Sequence, residues 1–122
     1  MDPKLQKSTA NFISLLFHSS TQAHIFHLRT GSYAAHKALK GYYTGIIPLL
    51  DSYTEGYQGN YGLLTGYETF KLSNNPNEAI KYFEQLIKQI EKTIVPDGYL
   101  KNIMDTVYEL TYKTLYLLKH LK

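Results

Sequence analysis

The chain has 122 residues, 43% hydrophobic and 14% aromatic, with 13 Lys and Arg against 10 Asp and Glu, a formal charge of +3 and no cysteine. That length and apolar content suit one compact domain and hardly two, and the missing cysteines exclude disulfides, thiolate metal sites and cysteine nucleophiles. The longest apolar run, Ile46 to Leu50, is short and contains Pro48, and Met1 to Leu5 lacks a signal-peptide core, so the expectation is a soluble cytoplasmic protein with no membrane partner.

Four segments carry helical periodicity. The first opens with Asp2 as N-cap and Pro3 at the first helical position, then runs through Leu5, Phe12, Leu15, Leu16 and Phe26 to about Leu28. Thr30, Gly31 and Ser32 make a tight connection to a second helix, which starts near Ser32 and carries Ala35, Leu39, Tyr42, Ile46, Leu49, Leu50 and Tyr53 over a span of about 25 residues. Pro48 removes a backbone donor and crowds the Thr44 carbonyl, which predicts a kink or a widened turn but no chain reversal, because the apolar pattern resumes in phase.

From Gly56 to Asn75 glycines alternate with tyrosines, which reads as a long ordered connection. A connection of that length can cross a bundle and leave the helices on either side parallel. Asn75, Pro76 and Glu78 announce a third helix with a capping box, followed by the stripe Ile80, Phe83, Leu86, Ile87, Ile90 and Ile94. Val95 to Gly98 break the pattern before a fourth helix with Leu100, Ile103, Met104, Val107, Leu110, Leu117, Leu118 and Leu121 on one side and Tyr108, Tyr112 and Tyr116 on another. The predicted fold is an all-α, single-domain, ferritin-like four-helix bundle over residues 1–122, with a long crossover between helices two and three. The tyrosines are assigned mainly to core packing with bonded hydroxyls, and Gly41 and Gly45 to close helix approach or an interface.

His24, His36, Asp51 and Glu55 stand 12, 15 and 4 residues apart. Asp51 and Glu55 share a helix face one turn apart, so both carboxylates can reach a common cation, and imidazole with carboxylate suits iron, manganese or zinc. By spacing alone the same four residues also fit a solvated helix face and two polar end positions, and metal binding is the minority reading. His27 lies three residues after His24 and is assigned to the helix terminus, with a role as a site modifier left open. His18 is read as a polar position on the first helix and His120 as lying at the exposed end of the last.

The stretch HIFHLRTGSYAAHKALKGYYTGIIPLLDSYTE, from His24 to Glu55, resembles the metal-site segment of the Dps mini-ferritins, a branch of the ferritin-like proteins. There a histidine ends the first helix, a second lies early in helix two and a carboxylate pair follows, and His24, His36, Asp51 and Glu55 match without a gap. Asp97, Gly98, Glu109, Lys113, Tyr116 and Leu117 look like the family's C-terminal pattern. The resemblance implies a homo-oligomer, a dimer at least and a shell of twelve subunits in full. Iron would be bound and oxidised at sites shared between subunits, with His24 and His36 from one chain and the two carboxylates from another, for iron storage and oxidative protection. A small, tyrosine-rich version suits a bacterium or a bacteriophage alike.

One position departs from the pattern. Four residues after the second histidine the family carries an acidic ligand, and this chain has Lys40. An ammonium there repels a cation and can pair with Asp51 or Glu55. The alternative function is therefore a non-catalytic ferritin-like assembly, or a DNA-associated protein, whose metal site Lys40 disables. DNA contact has weak support in the sequence: Lys4, Lys7, Lys113, Lys119 and Lys122 form at most a diffuse basic surface when repeated around an assembly.

Overall fold

The computed structural model describes residues 2–121. The described residues form α1 (Pro3–Arg29), α2 (Tyr33–Tyr61), α3 (Ala79–Ile90) and α4 (Gly98–His120), with one 3₁₀ turn at Pro76–Glu78 before α3 and no strand. The protein is all-helical, as the periodicity predicts. Among the described residues no helix is long and apolar enough to cross a membrane.

α1 begins as expected: the Asp2 carboxylate accepts from the Lys4 amide at 2.9 Å, with Pro3 opening the helix. That bond satisfies one of the donors a helix start leaves free. Phe12, Ile13, Leu16 and Phe26 on α1 are fully buried and meet Tyr42, Ile46, Tyr53 and Tyr57 of α2. Phe12 and Tyr53 pack edge to face with ring centroids 4.9 Å apart, and Tyr42 reaches Phe83 of α3 at 4.8 Å, each pair adding to the area term by the quadrupole fit of the rings. α1 and α4 both pack against α2 and α3.

α2 is longer than its apolar stripe suggests. It runs on through Gly56 and Gly59 to Tyr61 and stops at Gly62, whose φ of 93° is a left-handed conformation open to glycine. Packing overrides the weak propensity of the glycines. A Cβ at Gly56 would sit 3.4 Å from the Tyr99 ring, so the small residue lets the start of α4 lie close. Tyr57 is fully buried, and the Tyr61 hydroxyl donates to Asp97 Oδ2 at 2.6 Å. Pro48 brings no widened turn: the helix is α-helical throughout, and the ring lies on the exposed face.

The capping box before α3 forms only in part. Asn75 accepts from the Asn77 amide at 3.0 Å, but the Glu78 carboxylate accepts from the Ser73 hydroxyl and does not turn back to the Asn75 amide. Ser73 Oγ takes that amide itself, at 3.1 Å. α3 ends at Ile90, so Ile94 falls outside the helix and is exposed. Asp97 caps α4 in position but makes no side-chain cap bond, because its carboxylate is held by Tyr61 and by Asn60.

Residues 62–75 have no regular secondary structure and are bonded along α1. Gln6 Nε2 donates to the Thr65 carbonyl at 2.9 Å, the Glu68 amide to Ser14 Oγ at 2.8 Å, and Arg29 Nε to the Asn74 carbonyl at 3.1 Å. Between them Gln22 exchanges two bonds with the Ser73 backbone, at 2.8 and 2.7 Å. The side chains of one helix face thus satisfy backbone groups that a loop would otherwise leave to water.

Candidate metal centre

The turn between α1 and α2 brings three imidazoles together. His24 and His27 stand one helical turn apart at the end of α1, and His36 faces them from the first turn of α2. The Ser32 hydroxyl caps that turn by accepting from the Ala35 amide at 3.2 Å. His27 Nδ1 lies 2.7 Å from the His36 carbonyl, and His36 Nδ1 lies 2.9 Å from the His27 carbonyl. A carbonyl only accepts, so each Nδ1 carries its hydrogen and each neutral ring keeps its lone pair at Nε2. The rings stack with centroids 3.6 Å apart. His27 is buried and His36 is half-buried, so His27 forms the backing of His36.

His24 is exposed and lies flat on Tyr43, with centroids 4.0 Å apart and planes within 9°. His18 is a different case. Its Nε2 faces the Lys71 carbonyl at 2.7 Å and its Nδ1 faces the Tyr82 hydroxyl at 2.8 Å, so both nitrogens are committed and it serves as a strut between α1, the connection and α3. Burial drives the Tyr82 hydroxyl well above its ordinary pKa, which keeps it a donor. His120 is exposed beside Tyr116.

Asp51 and Glu55 project from the exposed side of α2, one turn apart as expected. They lie 15 and 19 residues beyond His36, roughly 22 and 28 Å along the axis at 1.5 Å per residue. Among the described residues no group of three or more His, Asp or Glu is arranged to hold a metal within one chain. A single chain therefore joins His24, His27 and His36 and leaves the two carboxylates apart. Lys40 stands one turn after His36, exposed. Ion pairs among the described residues join Lys101 to Asp105 and Lys119 to Glu84, and none engages Lys37, Lys40, Asp51 or Glu55.

Imidazole with carboxylate is donor chemistry that suits a first-row divalent ion, although one chain does not bring the two kinds of donor together among its described residues. A ligating histidine usually donates its other ring N–H to a carbonyl or carboxylate, which fixes the tautomer and the ring, and His36 has that bond already. Imidazole nitrogen and carboxylate oxygen together suit ferrous and ferric iron. Spacing did not reveal the roles of His27 and Tyr43; the sign available in the sequence was the nine residues from His27 to His36 across a three-residue turn, which brings those two positions level.

Residues 27–118 match the model of DUF5856, a family of unknown function. The chain belongs to this family. The matched stretch of this DUF5856 member takes in His27, His36, Lys40, Asp51 and Glu55, and His24 lies just before it. An uncharacterized 14.6 kDa protein from the mobD-ri intergenic region of Enterobacteria phage T4 is 27% identical over 110 residues, which cover 88% of this chain and 84% of that protein. No solved structure matches the chain.

The lysines read as a basic surface behave unequally. Lys4 and Lys7 line a shallow recess with Lys92, between the start of α1 and the end of α3. Lys119 is 3.1 Å from Glu84 and so partly neutralised, Lys113 is exposed, and Lys122 lies outside the described residues.

Proposed function

We propose that this DUF5856 member is a ferritin-like, Dps-type subunit that pairs with a second copy through the exposed face of α2 and binds ferrous iron where the two copies meet. The crossover topology is part of that reading. Its support is the run of bonds from Gln6 to Arg29, by which the connection after α2 follows the whole of α1 and delivers α3 beside the end of α1. The Ile94 amide then donates to Ser8 Oγ at 2.8 Å, at the start of α1. α1 up, α2 down, α3 down and α4 up is the consequence.

The observation that carries the iron reading is that one chain gathers the imidazole half of a ligand set at the α1–α2 turn and holds the carboxylate half, without an ion-pair partner among the described residues, further along α2. An antiparallel copy turns the carboxylate end of one α2 towards the imidazole end of the other. His24 and His36 would then hold the ion with Asp51 and Glu55 of the partner subunit, and two equivalent sites result from the two-fold axis. Iron is the cargo here, taken up as ferrous ion and oxidised where an oxidant reaches it. Further contacts around the pair extend it to a closed shell.

Anaerobic ferrous titration, followed by oxygen or peroxide with size measured by light scattering in the same sample, tests the reading. Saturable binding and rapid oxidation in an assembly, both lost in a His36→Ala, Asp51→Ala double variant, is the expected result. Binding no greater than buffer, in an assembled protein, rejects it.

Lys40 favours a second reading, in which the same assembly forms without iron chemistry and associates with DNA through the basic recess around Lys7. Salt-sensitive retention of plasmid DNA in a gel, together with no ferrous binding, distinguishes that protein from the first.

A further inference from the structure

Exposed positions on α2 follow one another at Lys37, Lys40, Thr44, Ile47, Asp51 and Glu55. Steps of three and four keep them on one narrow stripe, the spacing of a seam between two helices. The stripe is divided by charge: two lysines precede the uncharged centre and two carboxylates follow it. None of the four has an ion-pair partner among the described residues. Gly41, beside the stripe, has nothing within 4 Å of where its Cβ would be.

Such a stripe is complementary to itself only in the antiparallel sense. With Thr44 of one copy opposite Ile47 of the partner subunit, the rest of the register follows from counting. Lys40 lies four residues before Thr44 and Asp51 four residues after Ile47, so Lys40 meets Asp51 of the partner subunit. Lys37 meets Glu55 of the partner subunit to within one residue. Parallel pairing would put lysine on lysine and carboxylate on carboxylate, which like-charge repulsion disfavours. Each two-fold contact thus holds the Lys40 pair twice.

The same register leaves His36 next to Lys40, facing the partner's carboxylates. From this we infer that Lys40 is a built-in cation of the interface: its ammonium neutralises the partner's Asp51 in the metal-free pair, and an incoming divalent ion has to displace it. The inference rests on the α2 pairing and iron site proposed above. It adds a regulatory property that a plain imidazole and carboxylate site lacks, since the pair is held by lysine when iron is scarce and by the ion when iron is present. By linkage, whatever Lys40 contributes to metal-free association is subtracted from the apparent affinity for the ion.

The test uses the full chain, with Lys40→Met to remove the charge while keeping an unbranched stem, and Lys101→Met on exposed α4 as a control. Sedimentation across a dilution series without metal gives the self-association constant at low and high salt. Anaerobic titration with ferrous ammonium sulfate gives the affinity for the ion. In Lys40→Met we expect metal-free association to weaken about tenfold at low salt and to lose most of its salt dependence, while ferrous ion binds about tenfold more tightly. Lys101→Met changes neither. A wild-type pair that binds ferrous ion but is indifferent to Lys40→Met in both measurements overturns the inference and leaves the iron site standing. A wild-type chain that stays monomeric at every concentration, or a pair in which neither wild type nor variant binds ferrous ion, overturns the iron site and the inference together.

Discussion

His27 and His36 each donate a ring Nδ1–H to the other's backbone carbonyl, at 2.7 and 2.9 Å, with their rings stacked 3.6 Å apart. Two side chains and two backbones are thereby tied across the α1–α2 turn, and the outer ring, His36, is held at a set angle. His27→Phe retains the stack and removes one of the two bonds. The expected cost is about 1 kcal/mol, the usual net worth of such a bond, read as a lower urea midpoint at unchanged m-value. The iron reading adds a second outcome, weaker ferrous binding in a variant that is still folded.

Alkaline pH should unfold the protein before its inner tyrosines ionise. The Tyr61 hydroxyl is pushed up to about 12, first by its hydrogen bond to Asp97 and then by burial, from an ordinary value of 10.0. Tyr42 and Tyr53 are raised further by burial. A raised folded-state value means stability that is complete below pH 10.0 and lost as pH rises through the folded value. Ultraviolet titration of phenolate, run beside circular dichroism, should show a late group of tyrosines ionising together with loss of helix. Separate, reversible ionisation of all twelve tyrosines in a folded chain would contradict this.

Gly41 and Gly45 are one turn apart and should respond differently to alanine. At Gly41 a Cβ meets nothing, so Gly41→Ala gains the helix-propensity difference of about 1 kcal/mol. At Gly45 a Cβ would stand 3.2 Å from Leu110 Cδ2, and that leucine has to shift, offsetting most of the gain. Thermal unfolding of the two variants at equal concentration checks the order.

Pro48→Ala should stabilise the helix it interrupts. The ring is exposed and leaves the Thr44 carbonyl without its amide partner. Restoring that donor in a solvent-facing position is worth about 1 to 3 kcal/mol, up to the full interior penalty for proline. A change near zero would mean that the turn around Pro48 has already relaxed.

The boundaries of α1, the three-residue turn and the start of α2 were legible in the sequence, because Asp2, Thr30 and Ser32 accept from backbone amides two or three residues away and Pro3 fixes its own φ. The face shared by Asp51 and Glu55 was legible for the same reason, since helical spacing alone places it. Three features were decided by tertiary structure. α2 continues through Gly56 and Gly59 because Tyr57 is buried and Tyr61 holds Asp97, a partner 36 residues on. Glu78 abandons the capping box because Ser73, fastened to Gln22 of α1, offers it a hydroxyl. His27, assigned from the sequence to the helix terminus, is buried behind His36 because α2 folds back over it and supplies a carbonyl. Local signals determined where helices start. Bonds and contacts between residues far apart in the chain decided how long α2 runs, which carboxylate caps a helix, and which imidazole is buried.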